Sequence, residues 1–124
     1  MPRRILIVDD EDDIREVAQL CLEVIGEWEV TPVSSGQQAL QLAPGLQPDV
    51  ILMDVMMPEL DGPSTFRLLQ QNEATRAIPV ILLTAKVQAS DRKQFEELGV
   101  AGVIAKPFDP LTLAGEIDSK LAGK

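Results

Sequence analysis

Four short apolar runs of the sequence are each followed by one or two polar side chains that could take part in catalysis or bind a metal ion. These side chains are the carboxylates of Asp9 and Asp10, the carboxylate of Asp54, the hydroxyl of Thr84 and the amine of Lys106. Carboxylates held close together repel one another, so they must either raise their pKa values or share a cation. A set of oxygen ligands suits hexacoordinate Mg²⁺ that keeps several waters. The chemistry open to these residues therefore depends on whether the fold brings them together.

The run before Asp54 indicates how these side chains are positioned. Residues 50–53 are four consecutive apolar residues, which cannot alternate between a core and solvent. Such a run predicts a strand buried on both faces, as in a parallel sheet covered by helices. Residues 5–8, 78–83 and 101–105 fit the same pattern. Each strand would deliver its polar residue at its carboxyl end, where open α/β sheets form their ligand crevice.

Helical spacing between the predicted strands completes an alternating pattern. After the first strand, apolar residues recur at 14, 17, 18, 21, 24 and 25, and we expect all six to face the core. A short helix is predicted at 37–43, ended by Pro44 and Gly45. A final helix is expected to begin at Pro110. Five strands that alternate with five helices predict parallel pairing and right-handed crossovers.

The remaining strand, predicted at 28–33, indicates the order of the sheet. Pro32 lies within it, and proline cannot donate a hydrogen bond to a sheet ladder, so this strand is expected at an edge. The predicted fold class is therefore α/β, a five-stranded parallel sheet in the flavodoxin-like order 2-1-3-4-5 with helices on both faces.

Composition narrows the possible functions. The chain has 124 residues, enough for one domain with a single core, and a formal net charge of -9. That charge repels nucleic acid and anionic membranes, so neither is an expected direct partner. The longest apolar runs are far too short to span a bilayer, so we expect a cytoplasmic protein. The absence of histidine excludes Ser-His-Asp and Cys-His catalysis and imidazole metal sites.

In the predicted fold the polar strand ends meet in one crevice, and the arrangement suits phosphoryl transfer. Asp54 would be the nucleophile, while Lys106 and a divalent ion would neutralise the incoming group. Thr84 would donate a hydrogen bond to one phosphoryl oxygen. Taken singly, each residue has an ordinary structural explanation as a helix cap, a strand end or a solvated lysine.

The whole chain resembles a response-regulator receiver domain of two-component signalling and is similar to a single-domain chemotaxis regulator. The motifs that carry the resemblance are VDDE at 8–11, DVMMPELDG at 54–62, TA at 84–85 and KPF at 106–108. It implies that Asp54 accepts a phosphoryl group from a histidine kinase or a histidine phosphotransfer protein. The chain would catalyse only its own phosphorylation and dephosphorylation.

The same resemblance implies the roles of the other site residues. Asp10, Asp54 and the backbone carbonyl of Met56 would hold Mg²⁺, with Asp9 assisting through water. Thr84 and Lys106 would contact the phosphoryl group, and the Lys106–Pro107 peptide would be cis.

The resemblance also carries expectations about output. A partner protein would bind the fourth helix, the fifth strand and the last helix, and residues 1–124 would be one receiver domain without an output domain. One position departs from the family pattern. The family usually has an aromatic residue there, whose rotamer changes on phosphorylation, whereas this chain has Val103. A readout through an aromatic ring is therefore not expected.

The same residues are also compatible with two other functions. A docking module of the same fold would need no phosphorylation, and failure to bind Mg²⁺ would favour it. A phosphatase of the haloacid-dehalogenase type also forms an aspartyl phosphate at a strand end. It normally needs a second Asp two residues after the nucleophile, where this chain has Met56.

Overall fold

The structure, a computed structural model, describes residues 3–85 and 89–123. The strands are Arg4–Val8 (β1), Glu29–Val33 (β2), Val50–Asp54 (β3), Val80–Thr84 (β4) and Gly102–Ala105 (β5). The helices are Asp12–Val24 (α1), Gly36–Leu46 (α2), Gly62–Gln71 (α3), Ala89–Glu97 (α4) and Leu113–Ala122 (α5). No helix within the described ranges is both long and apolar enough to cross a membrane.

The sheet is parallel, and its order β2-β1-β3-β4-β5 confirms the predicted fold class. The strand that contains Pro32 lies at the edge next to β1, as predicted. Asp54 is in register with Leu83, and Thr84 with Ala105. This register places the carboxyl ends of β1, β3, β4 and β5 along the same edge of the sheet.

Two layers of apolar side chains, one on each face, bury the sheet. All five residues of β3 are buried, and their side chains alternate between the layers: Ile51 and Met53 pack on one side, Val50 and Leu52 on the other. Full burial of one such side chain contributes about 1.5–3 kcal/mol, so a strand buried on both faces is a rigid support for its terminal residue.

The prediction of which residues in and after α1 face the core is only partly right. The buried residues of α1 are Ala18, Cys21 and Leu22. Val17 and Val24 are exposed instead, and so is Ile25, which follows the helix. The apolar residues of this segment cover more than one helix face, and the sheet can bury only the face that is turned toward it.

Helix α2 does not end at Pro44 as predicted. It continues to Leu46, and Gln47 then adopts the left-handed conformation with φ 50°. Two side chains satisfy carbonyls at this end: Gln47 Nε2 donates to Pro44 O at 2.9 Å, and an Arg4 guanidinium nitrogen donates to Leu46 O at 3.2 Å. Because the Arg4 donor comes from β1, 42 residues away in the chain, the extension depends in part on a tertiary contact.

The N-terminus of α2 yields a stability prediction. The Ser35 hydroxyl accepts a hydrogen bond from the backbone N–H of Gln38 at 3.2 Å. Ser35→Ala is expected to lower the free energy of unfolding by about 1 kcal/mol, because that N–H loses its partner. Urea unfolding monitored by circular dichroism measures the change. Thr112→Ala is the matched control, since Thr112 caps α5 without a side-chain bond to a helix N–H. An equal loss in both variants would contradict the capping role of Ser35.

Candidate functional site

The ends of three central strands bring buried polar side chains together. Asp9 follows β1, Asp54 ends β3 and Thr84 ends β4, and all three are buried. The backbone N–H of Lys106, the residue after β5, donates to Thr84 O at 2.9 Å. This bond fixes the start of the Lys106 side chain beside the ends of the other strands.

The Lys106 ammonium lies among three carboxylates. Its Nζ is 3.0 Å from Asp9 Oδ2, 3.1 Å from Asp54 Oδ1 and 3.3 Å from Glu11 Oε1. The Lys106 side chain is itself largely buried. The structure therefore brings together Asp9, Asp54 and Lys106, three of the residues singled out in the sequence.

The electrostatics of the cluster are dominated by the repulsion and burial of its acids. Burial, and then the charge of Asp9, raise the pKa of Asp54 to about 6, although Lys106 and the backbone N–H of Met56 oppose the shift. Burial lowers the pKa of Lys106, but the close contacts with the carboxylates of Asp9 and then Asp54 outweigh burial, so this pKa is raised. The Lys106 amine thus stays protonated, whereas the ionised form of the neighbouring Asp54 carboxyl group is less stable than it would be in water.

The segment after β3 packs closely against the backbone of Asp54. Val55 N donates to Leu83 O, and Gly62 N donates to Val55 O, both at 2.9 Å. A Cβ added at Gly62 would lie 2.4 Å from the backbone oxygen of Asp54. Only a glycine fits there, so the DVMMPELDG motif requires Gly62 for steric reasons.

Asp10 and Met56 are placed differently from the buried cluster. Asp10 is exposed, and it is not part of the group formed by Asp9, Glu11 and Asp54, whose carboxylate oxygens lie within 4.8 Å of one another. The Met56 side chain is exposed, while its backbone N–H bonds the Asp54 carboxylate. The ligand roles of Asp10 and of the Met56 carbonyl therefore remain predictions.

Glu11 is the residue of the cluster that sequence reasoning missed. It belongs to the VDDE motif, but it follows the strand by three positions and reads as part of the entry to α1. The structure places it at the N-cap of α1 with no side-chain capping bond, and its backbone N–H donates to Asp9 Oδ1 at 2.8 Å. The only sequence signal for Glu11 was its place directly after Asp9 and Asp10, as the third acidic residue in a row.

The donor chemistry of the cluster fits a magnesium ion. The oxygens come from carboxylates alone, which are the hard ligands that Mg²⁺ prefers. Asp9 Oδ2 is fully buried and, within the described residues, has no well-directed hydrogen bond. Its ion pair with Lys106 supplies charge without that geometry. A buried carboxylate oxygen in this state retains capacity for a cation.

Two further expectations concern the fifth strand and the residues that follow it. The Lys106–Pro107 peptide is cis, which confirms the prediction. Val103 is buried in the core layer that also contains Leu82. It packs as an ordinary core aliphatic, and the expectation of a readout without an aromatic ring stays a prediction.

Comparison with known proteins identifies the fold and the family. The family model of the response regulator receiver domain matches residues 5–118. The phosphate regulon transcriptional regulatory protein PhoB of Pseudomonas aeruginosa is 39% identical over 119 residues, which are 96% of this chain and 52% of PhoB. The probable transcriptional regulator ycf27 of Guillardia theta is 39% identical over 95% of this chain and 45% of its own length. The chain thus spans about half the length of these curated relatives.

Solved structures agree with the family model. Chemotaxis response regulator CheY4 of Vibrio cholerae superposes with a TM-score of 0.89 at 28% identity, covering 97% of this chain and 99% of CheY4. The receiver domain of the Pseudomonas aeruginosa sensor histidine kinase PA1611, solved with magnesium in its active site cleft, gives a TM-score of 0.85 at 33% identity, covering 98% and 99%. Since both the family model and the relatives cover nearly the whole chain, this protein belongs to the response-regulator receiver-domain family of two-component signalling.

Proposed function

We propose that this chain is a cytoplasmic, phosphorylation-controlled response regulator that accepts a phosphoryl group on Asp54 in a Mg²⁺-dependent reaction. The donor would be a histidine kinase or a histidine phosphotransfer protein. The observation that carries the proposal is the buried Asp54 carboxylate with the Lys106 ammonium 3.1 Å from its Oδ1. A nucleophile and a fixed positive charge at this distance suit the transfer of an anionic group.

The proposed step needs few groups from the protein. An Asp54 oxygen forms a bond to phosphorus, the phosphorus–nitrogen bond of the donor imidazole breaks, and the electron pair leaves with the imidazole. Lys106 neutralises charge on the phosphoryl oxygens, and the Thr84 hydroxyl donates a hydrogen bond to one of them. Phosphoryl transfer depends chiefly on positioning and charge stabilisation, which these buried side chains supply.

The proposed metal ligands are Asp10, Asp54 and the Met56 carbonyl, with Asp9 assisting through water. The ion would supply further charge neutralisation at the transferring group. The buried Asp9 oxygen described above supports the proposal, as does the magnesium held by the PA1611 receiver domain.

We further propose that residues 1–124 act as one receiver unit and signal through a partner protein at α4, β5 and α5. In support, β5 is an edge strand of the sheet, and Arg92 and Glu96 on α4 are exposed. The formal net charge of -9 of the chain argues against direct binding of nucleic acid.

The test of the phosphoacceptor is intact mass after incubation with acetyl phosphate. Wild type is expected to gain a single phosphoryl adduct that requires Mg²⁺, and Asp54→Asn is expected to gain none. Asp49→Asn is the matched control, because Asp49 is an Asp at the opposite end of the same strand. No adduct on wild type under any condition would favour the docking module. Rapid turnover of a phosphate monoester would favour the phosphatase.

A further inference from the structure

The three carboxylates around Lys106 differ in their freedom to move. Asp9 and Asp54 are buried at strand ends, whereas the Glu11 side chain is 58% exposed. Glu11 occupies the N-cap of α1 without making a capping bond, so its side chain is not committed to the helix. Of these three carboxylates, that of Glu11 alone is exposed enough to follow the ammonium toward solvent.

The ammonium and a divalent cation would be attracted to the same group of oxygens. Lys106 Nζ contacts one oxygen each of Asp9, Glu11 and Asp54, and these carboxylates approach one another within 4.8 Å. Two cations held in such a small space repel each other strongly. When the buried carboxylates hold a divalent cation, Lys106 must therefore shift part of its interaction elsewhere.

We propose that Glu11 is a positioning residue that draws the Lys106 ammonium toward the exposed side of the cluster when a divalent cation binds the buried carboxylates. The inference rests on the proposed function, because it assigns a role within the same Mg²⁺-dependent site. It adds a residue that acts through Lys106 and not as a metal ligand. Glu11 keeps the lysine close to the mouth of the site and reduces its repulsion of the ion.

The proposal predicts a loss of metal affinity that depends on Lys106. Glu11→Gln is expected to weaken Mn²⁺ binding by about fivefold at low ionic strength, the upper range for an exposed ion pair. Lys106→Met is expected to strengthen binding, because it removes the competing cation. In the Lys106→Met background, Glu11→Gln is expected to change the affinity by less than about twofold, since a pair effect disappears when its partner is absent.

The experiment is calorimetric titration of the full, unphosphorylated chain with Mn²⁺. The set comprises wild type, the two single variants, the double variant and Glu16→Gln. Glu16→Gln removes the same charge from an exposed residue that forms no ion pair among residues 3–85 and 89–123, so its affinity is expected to match wild type. Thermal unfolding of each variant checks that it is folded.

Three outcomes would overturn the proposal. Wild-type affinity in Glu11→Gln would show that the contact with Lys106 has no effect on the metal. An equal loss with and without Lys106 would show that Glu11 acts on the metal directly. A wild type that binds no Mn²⁺ would defeat the metal dependence of the proposed function, and this inference with it.

A second measurement keeps the test intact if Lys106→Met does not fold. The ¹³C resonance of Lys106 Cε reports the surroundings of the ammonium during a Mg²⁺ titration. The Mg²⁺-induced shift is expected to differ between wild type and Glu11→Gln and to be unchanged in Glu16→Gln. Identical shifts in all three proteins would overturn the proposal.

Discussion

Asp54→Asn is expected to make the metal-free protein more stable than wild type above about pH 6, while the two have similar stability near pH 4. The pKa of Asp54 is raised from 3.8 to about 6 in the folded protein, first by burial and then by the charge of Asp9. The folded state therefore binds this proton more tightly than the unfolded state does. Stability from this group is fully present below about pH 4 and is lost as the pH rises through about 6. The loss is about 3 kcal/mol, from a shift of about two pKa units at 1.36 kcal/mol each.

The measurement is urea unfolding of both proteins between pH 4 and pH 8 in the presence of a metal chelator. The quantity to compare is the difference in the free energy of unfolding between the two proteins, because the titration of acids far from Asp54 cancels in that difference. That difference is expected to grow from pH 4 to about pH 7 and then level off. Addition of Mg²⁺ at pH 7.5 is expected to stabilise wild type more than the variant, since Asp54 belongs to the proposed metal site and a ligand that binds only the folded state stabilises it. A difference that does not change with pH would contradict the raised pKa of Asp54.

Gly62→Ala is expected to lower the free energy of unfolding by about 3 kcal/mol, at the upper end of the usual cost of overpacking. The new Cβ would lie 2.4 Å from Asp54 O and 3.0 Å from Val55 Cα. Both are backbone atoms of the segment that carries Asp54, so neither can rotate away as a flexible side chain can. Urea unfolding measures the loss.

Gly115→Ala is the matched control for this substitution. Gly115 lies inside α5, and a Cβ added there meets no atom within 4 Å. Alanine is the better helix former, so this variant is expected to gain about 0.5–1 kcal/mol. The opposite signs separate a steric requirement from helix propensity. A gain of stability in Gly62→Ala would contradict the close approach of α3 to β3.

The placement of the site was predictable because it depends on topology more than on detail. Continuous apolar runs predicted strands buried on both faces, and Pro32 indicated which strand lies at the edge. In a parallel sheet all carboxyl ends share one edge, so Asp9, Asp54 and Lys106 had to approach one another once the strand order was known. No angle or distance was needed for that conclusion.

Only the tertiary structure decided which side chains complete the cluster and which apolar residues are buried. Glu11 joins Lys106 because the turn into α1 directs its side chain back over the strand ends, and no periodic pattern encodes that direction. The buried face of α1 and the extension of α2 past Pro44 depend on what packs against each helix, such as the Arg4 bond to Leu46 O. Local sequence determines which structures are possible, and contacts between distant segments select among them. The sequence alone therefore determined the fold class and the edge of the sheet that carries the site, and packing determined its final set of contacts.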